Sequence, residues 1–334
     1  MRVLFISPSP PPPVPGTDGL FTEIGYLRNS FDGDLISLSP FRSLPWIVPV
    51  KLYGIHHLFK LKKYESGADI FHLFFPYLVD FRILRHFSKP VIFTITSGVE
   101  PAHLPSTWPP CTIVVSSDGE AGILKSNGME EVRIILPGID TSRITITSPP
   151  ATDQDFVLLM GSAPWVTSQF GSKGFDLMLE VLTKIHHVRL VCLWRGRLYH
   201  EWCEKVRAAG LSGRVEIINE KANISEILSR CHAAMVLAVQ ADLVKSYPNS
   251  LMEALVAGRP VIVSRSVPMS SYVDHTGCGK VLERFSVDEM VHAINEMRDH
   301  YTELRKTALL VGRRDFSDIR MVNEYWDLYK KILD

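Results

Sequence analysis

Short runs of β-branched and other apolar residues alternate with helix-period segments along the whole chain, and this alternation leaves few folds open. It is the pattern of parallel sheets whose crossover connections are helices. Runs at 3–6, 35–38, 70–74, 91–95, 112–116 and 133–136 predict one set of strands. A second set begins after the break Ser148-Pro149-Pro150-Ala151-Thr152, with runs at 156–160, 189–194, 215–218, 234–237 and 261–263. The chain has 334 residues, enough for about two domains at roughly 150 residues each. The expected class is therefore α/β, with one doubly wound domain over 1–148 and a second over 151–312.

Two helices are well marked. Over 174–186, Phe175, Met178, Leu179, Leu182 and Ile185 fall on one apolar face, the spacing of a helix packed on a sheet. Over 317–333, Ser317 is a suitable cap, and Ile319, Val322, Tyr325, Trp326, Tyr329 and Ile332 recur at similar spacing. Charge excludes one class of partner. Lysine and arginine together number 36, as do aspartate and glutamate, so no overall basic field attracts nucleic acid. The five cysteines are scattered and never in a CxxC spacing, which suggests neither a disulfide framework nor a zinc site. They read as small core residues in a reducing cytosol. The first apolar run stops at Pro8, and no stretch approaches the ~20 apolar residues of a membrane span, so a cytoplasmic location is expected.

In open parallel sheets ligands lie beyond the carboxyl ends of strands, and three loops there are unusual. The first, 7–19, reads SPSPPPPVPGTDG; Gly16 and Gly19 free the backbone just before a helix at 19–30, whose first N–H groups can face an anion. The second, 161–174, reads GSAPWVTSQFGSKG. It places Lys173 between Gly171 and Gly174 at a helix start, where its ammonium and free N–H groups can converge on a phosphate. The third, 245–262, has Pro248 and Asn249 at a helix start, Glu253 about one turn in, Gly258 at its stop and Pro260 before the next strand. Neither GxxxxGK[ST] nor GxGxxG nor GxSxG occurs, so P-loop, ordinary dinucleotide and nucleophile-elbow chemistries lose support. The pairs His56-His57 and His186-His187 lack partners at a ligand spacing, and no metal is expected. Segment 46–64 interleaves Trp46, Leu52, Tyr53, Ile55, Leu58 and Phe59 with Lys51, Lys60, Lys62 and Lys63. Such a segment either lies on an anionic membrane surface or packs on its own domain with a solvated lysine face.

The stretch SYPNSLMEALVAGRPVI at 246–262 resembles the signature helix of retaining GT-B glycosyltransferases of the family 4 (glycosyl transferases group 1) type. Other blocks resemble the family in order and spacing: MRVLFISPSPPP at the start, KPVIFTIT at 89–96, VRIILPGID at 132–140, KGFDLMLEVL at 173–182 and RVEIIN at 214–219. FSDIRMVNEYWDLYKKIL at 316–333 resembles the family's closing helix, which implies that 313–334 returns to the first domain. The resemblance implies two Rossmann-like domains facing a cleft, an acceptor domain followed by a donor domain.

By the same resemblance, Lys173 meets the donor's diphosphate and Glu253 its ribose hydroxyls, while the backbone at Asn249, Ser250 and Leu251 faces phosphates or sugar. Gly16, Gly19 and Thr96 mark a phosphate or acceptor loop. Three positions depart from the usual pattern: Lys245 stands where a first signature glutamate is usual, Thr96 where many members carry histidine, and Ser162 where arginine is common. Arg195 or Arg197 can supply that missing charge. The implied activity is transfer of a sugar, with retained anomeric configuration, from a nucleotide-sugar to a hydroxyl of a glycan or lipid-linked acceptor. No cofactor or metal is implied. The departures keep two alternatives open, a non-catalytic sugar or nucleotide-binding subunit and a sugar-nucleotide epimerase of the same fold.

Overall fold

The structure, a computed structural model, describes residues 1–7, 9, 19–39, 49–151, 155–194 and 196–334. The helices used below are α1 (Gly19–Ser30), α2 (Leu58–Glu65), α3 (Phe175–Lys184), α4 (Asn249–Val256), α5 (Tyr301–Asp315) and α6 (Asp318–Leu333). Contacts divide the chain into two units, Met1–Gly138 with Asp318–Asp334, and Ile139–Ser317.

The first unit holds β1 (Val3–Ser7), β2 (Leu35–Ser37), β3 (Ile70–Phe75), β4 (Val91–Ile95), β5 (Thr112–Val115) and β6 (Val132–Ile134), parallel throughout and ordered β2-β1-β3-β4-β5-β6. Strands β1, β3 and β4 are buried at every residue, as expected where both faces of a parallel sheet are covered. Side chains alternate between the two covers. Val3 and Phe5 join Ile24 and Leu27 of α1 and Tyr325 and Tyr329 of α6 on one face, whereas Leu4 and Ile6 join Leu61 of α2 on the other. Helix α6 is also tied by polar bonds through the core. His72, fully buried on β3, meets Tyr329 Oη through Nδ1 at 2.5 Å and Thr94 Oγ1 through Nε2 at 2.7 Å, and Thr94 meets Tyr325 Oη at 2.9 Å. Burial holds the His72 pKa well below the usual histidine value, so the ring is neutral and one nitrogen donates while the other accepts.

The second unit holds β7 (Phe156–Met160), β8 (Val188–Leu193), β9 (Val215–Ile218), β10 (Ala233–Val236), β11 (Val261–Ser264) and β12 (Gly279–Leu282), again parallel, in the order β12-β11-β10-β7-β8-β9. Strand β12 was not among the expected runs, because Gly279-Lys280-Val281-Leu282 is too short and too polar to stand out. Its pairing decides it: a Cβ on Gly279 would lie 2.0 Å from the Val261 carbonyl oxygen, so only glycine fits beside β11. An aromatic cluster of Phe170, Phe175, Trp194 and Trp202 anchors the α3 side, with the two tryptophan rings 5.8 Å apart and 3° from parallel.

The contact division falls after Gly138, not at the 148–150 proline stretch, and the cause is a set of arginines. Arg313 donates to the carbonyls of Thr141, Ile144 and Val256, and Arg259 donates to Thr147 Oγ1 at 3.0 Å, which ties 139–148 to the second unit. Residues 313–317 stay there too, because α5 runs to Asp315 and Ile139 bridges Ser317. Helix α4 lies against α5 at backbone distance: a Cβ on Gly312 would stand 2.3 Å from Leu255 C and 2.5 Å from Val256 N. No helix among the described residues is long and apolar enough to cross a membrane.

Candidate functional site

In the second sheet the chain runs outward from β7 through β8 to β9, then returns to β10 on the other side of β7. The carboxyl ends of β7 and β10 are thus a topological switch point, where the two following loops part and leave room for a ligand. Here they are also held to each other. Gly161 N donates to Met235 O at 3.3 Å, and Val239 N donates to Ser172 O at 2.9 Å. Gly174 adopts φ 76° at the entry to α3, and a Cβ there would lie 2.7 Å from Leu237 Cδ1, so glycine is required on both conformational and steric grounds. A Cβ on Gly161 would lie 2.5 Å from Ser250 Oγ, which brings the first turn of α4 directly against the end of β7.

Lys173 sits in this corner and is only 3% exposed. Its Nζ donates to Ser162 Oγ at 3.3 Å, and among the described residues it forms no ion pair. Burial lowers its pKa to about 8. A buried ammonium with one long bond to a neutral hydroxyl is costly, because desolvation is only partly offset. Ser162 itself holds φ 63°, a conformation in which non-glycine residues are strained and which clusters at functional sites. The charge and the strain meet at one hydrogen bond.

Helix α4 supplies the other wall. Pro248 at its start offers no side-chain cap, so the positive end of the helix dipole is not quenched there by a side chain of its own cap residue. Asn249 Oδ1 accepts from Lys245 Nζ at 2.9 Å, and Ser250 faces Gly161. Glu253 is half-buried one turn further on. The side chain of Leu251 is fully buried in the core and its N–H donates to Pro248 O at 3.0 Å, so neither points to a ligand. Lys173, Lys245, Asn249, Ser250 and Glu253 are therefore all carried by the switch-point loop or by α4 and the turn before it.

The remaining candidates lie elsewhere. Thr96 belongs to the first unit, buried just after β4, its N–H donating to Phe75 O at 3.0 Å. Gly19 opens α1 in that unit; Gly16 and Arg195 lie outside the described residues. Arg197 is exposed, and its carbonyl accepts from Trp194 Nε1 at 2.9 Å. His186 is exposed and His187 half-buried, and no group of three or more metal-ligating side chains occurs among the described residues. Ser162 stands out in the sequence only as a position where arginine is common; its strained backbone has no local signature, since nothing in Gly161-Ser162-Ala163 demands a positive φ.

Residues 165–308 match the family described as Glycosyl transferases group 1. No curated protein sequence matches the chain. Among solved structures, sucrose-phosphate synthase from Thermosynechococcus elongatus superposes with a TM-score of 0.76 at 14% identity, covering 99% of this chain and 98% of that one. HepE from Anabaena, in complex with UDP and glucose, gives 0.73 at 14% identity over 99% of this chain and 100% of that one. WaaG, a glycosyltransferase involved in lipopolysaccharide biosynthesis, gives 0.67 at 15% identity over 98% and 99%. Two parallel six-stranded sheets with flanking helices, matched at this length, make the fold GT-B.

The state of Lys173 makes a pH-dependent prediction. Unfolded, the amine keeps a pKa near 10.5; folded, burial lowers it to about 8. Between these values the unfolded chain binds a proton that the folded chain does not, so stability rises with pH across that window. Lys173→Met removes the buried charge and is expected to be more stable than wild type at pH 7 by up to about 3 kcal/mol, an advantage that shrinks as pH approaches 10.5. Denaturant unfolding of both proteins from pH 7 to 10.5 measures it. A stability difference independent of pH would contradict the assignment.

Proposed function

We propose that the chain is a glycosyltransferase that moves a sugar from a nucleotide-sugar donor to an acceptor hydroxyl with retention of anomeric configuration, of the family 4 type. The observation that carries this reading is the buried, poorly compensated Lys173 at the β7–β10 switch point beside the start of α4, whose cap residue is Pro248. A cation and oriented backbone dipoles suit a leaving diphosphate, on which negative charge grows as the bond to the anomeric carbon breaks. In this reading Lys173 and the first turn of α4 hold the diphosphate, Glu253 accepts hydrogen bonds from the ribose hydroxyls, and the ammonium does the work a divalent cation would do. The signature stretch around Glu253, the family match over 165–308 and the likeness to HepE with bound UDP and glucose support it. The first unit, with Gly16, Gly19 and Thr96, is assigned the acceptor, a glycan or a lipid-linked saccharide.

The test is nucleoside diphosphate release and product formation from a panel of nucleotide-sugars with glycan and lipid-linked acceptors. Wild type is expected to transfer one of them, with the rate unchanged by EDTA. Lys173→Met should lower kcat/KM by roughly 100-fold or more, and Glu253→Ala should weaken donor binding by about 1–3 kcal/mol. Donor binding without turnover would replace the reading with that of a non-catalytic subunit. Conversion of the donor sugar without any acceptor would replace it with an epimerase.

We further propose that the protein acts at the cytoplasmic face of a membrane through the 46–64 region. Residues 46–48 lie outside the described residues, but 49–64 are divided by the fold. Tyr53, Leu58 and Leu61 pack on the core of the first unit, whereas Ile55 is 42% and Phe59 92% exposed. Around them Lys51, Lys60 and Lys63 face solvent, and no acidic residue occurs from 35 to 64. Lys62 is neutralised by Glu65 at 2.8 Å. An exposed aromatic ring among unpaired-sign charges suits the interface of an anionic bilayer, where each basic side chain contributes about 1 kcal/mol. Phosphatidylglycerol-rich vesicles should float the protein at low salt and release it at high salt. Phe59→Ala and Lys60→Glu should each reduce flotation; equal flotation of both variants, or none by wild type, would contradict the proposal.

A further inference from the structure

Lys245 stands four residues before the segment's first helical contact with the site, and its Nζ lies 2.9 Å from Asn249 Oδ1. An ammonium has donors and no lone pair, so it can meet only the oxygen of the amide, and this fixes which way the Asn249 side chain faces. Asn249 is the first helical residue, after the cap residue Pro248, so its amide is not committed to a cap bond and can face either way. Lys245 draws that oxygen to itself. The Nδ2 amide is then the free end of the side chain, at the first residue of α4, next to Ser250, which abuts Gly161 at the end of β7. Lys173, in the same corner, adds a second donor there.

We propose that Lys245 is a positioning residue: by holding Asn249 Oδ1 it makes Asn249 a hydrogen-bond donor toward the anionic group of the ligand at the β7–β10 switch point. The inference rests on the reading of this corner as a diphosphate site and adds a selection rule to it. Ligand groups that meet the rim through acceptor oxygens, phosphate or carboxylate, are favoured over groups that must donate. It also accounts for a lysine where the resembled pattern has a carboxylate, since glutamate at this position would repel the Asn249 oxygen and turn the amide round.

The experiment is calorimetric titration of the intact chain with UDP, GDP and ADP, the tightest of the three being carried through the variants Lys245→Met, Asn249→Ala and their combination. Asn249→Ala is expected to weaken binding roughly 5- to 20-fold and Lys245→Met somewhat less, each losing about one hydrogen bond to a charged group. The double variant should match Asn249→Ala, because Lys245 acts on the ligand through that amide. Lys245→Arg, whose guanidinium also donates to the oxygen, should restore binding, and Asn249→Asp, which keeps a partner for Lys245 but offers no donor, should bind no better than Asn249→Ala. The matching nucleoside without phosphates should be bound equally by all, a pattern that loss of local structure would not produce. Additive losses in the double variant, or wild-type affinity in Asn249→Asp, would overturn the inference and leave the diphosphate reading standing. Failure of wild type to bind any of the three nucleotides would overturn that reading and this inference with it.

Discussion

Helix α4 is fixed from two sides by contacts at backbone distance. On one side Gly312 of α5 lets the two helices touch at Leu255 and Val256; on the other Gly161 lets Ser250 reach the end of β7. A methyl group at either glycine would have to displace its neighbour, and the neighbour at Gly312 is backbone, which cannot yield as a flexible side chain can. The α4 wall of the candidate site hangs on this placement. It sets the first turn of α4 against the switch point, it brings Asn249 and Glu253 to the same corner as Lys173, and through Arg313, bonded to Val256 O at 3.1 Å, it also ties the 139–144 segment to the second unit.

Given that placement, Lys173 is the group that needs explaining. Its side chain could be accommodated as a methionine with similar volume and no desolvation penalty, yet the chain keeps an ammonium whose pKa burial has lowered to about 8. Near neutral pH it is still charged. A bound anion would offset the penalty and return the pKa toward its ordinary value, so the cost in the unliganded chain is the counterpart of affinity in the liganded one. The strained Ser162, whose hydroxyl is the partner of that ammonium, fits the same account, since strain of this kind persists only where surrounding structure holds it.

Much of this was legible from local pattern. The strands that are continuous apolar runs, such as β3 and β4, and the helices with a clear apolar stripe, α3 and α6, stand in the sequence because their signals are local periodicities. Strand β12 does not, since an edge segment containing Gly279 and Lys280 is chosen by its partner β11. Lys173 and Asn249 could be picked out by their places at helix starts, but the burial of Lys173 depends on the β10 loop folding over it, with Gly174 against Leu237, a contact between residues far apart in sequence. His72 was hidden for the opposite reason: it sits inside the apolar run FHLFF, and the tyrosine that satisfies it is 257 residues away. In the 46–64 segment the residues that pack and those that stay exposed are not separable by sequence, because the turn at Gly54, with φ 84°, directs Tyr53 and Leu58 inward and leaves Ile55 and Phe59 exposed.

The central claim is that the buried ammonium of Lys173 is kept for an anion, and proton uptake on binding tests it most directly. At pH 9 an amine with a pKa of about 8 is mostly neutral, so an anion that requires the charged form must draw a proton from solution. Calorimetric titration with a nucleoside diphosphate at pH 9, repeated in buffers of different ionisation enthalpy, gives the number of protons taken up. The account predicts uptake of close to one proton per bound nucleotide in wild type and none in Lys173→Met. Binding with equal uptake in the two proteins would contradict it.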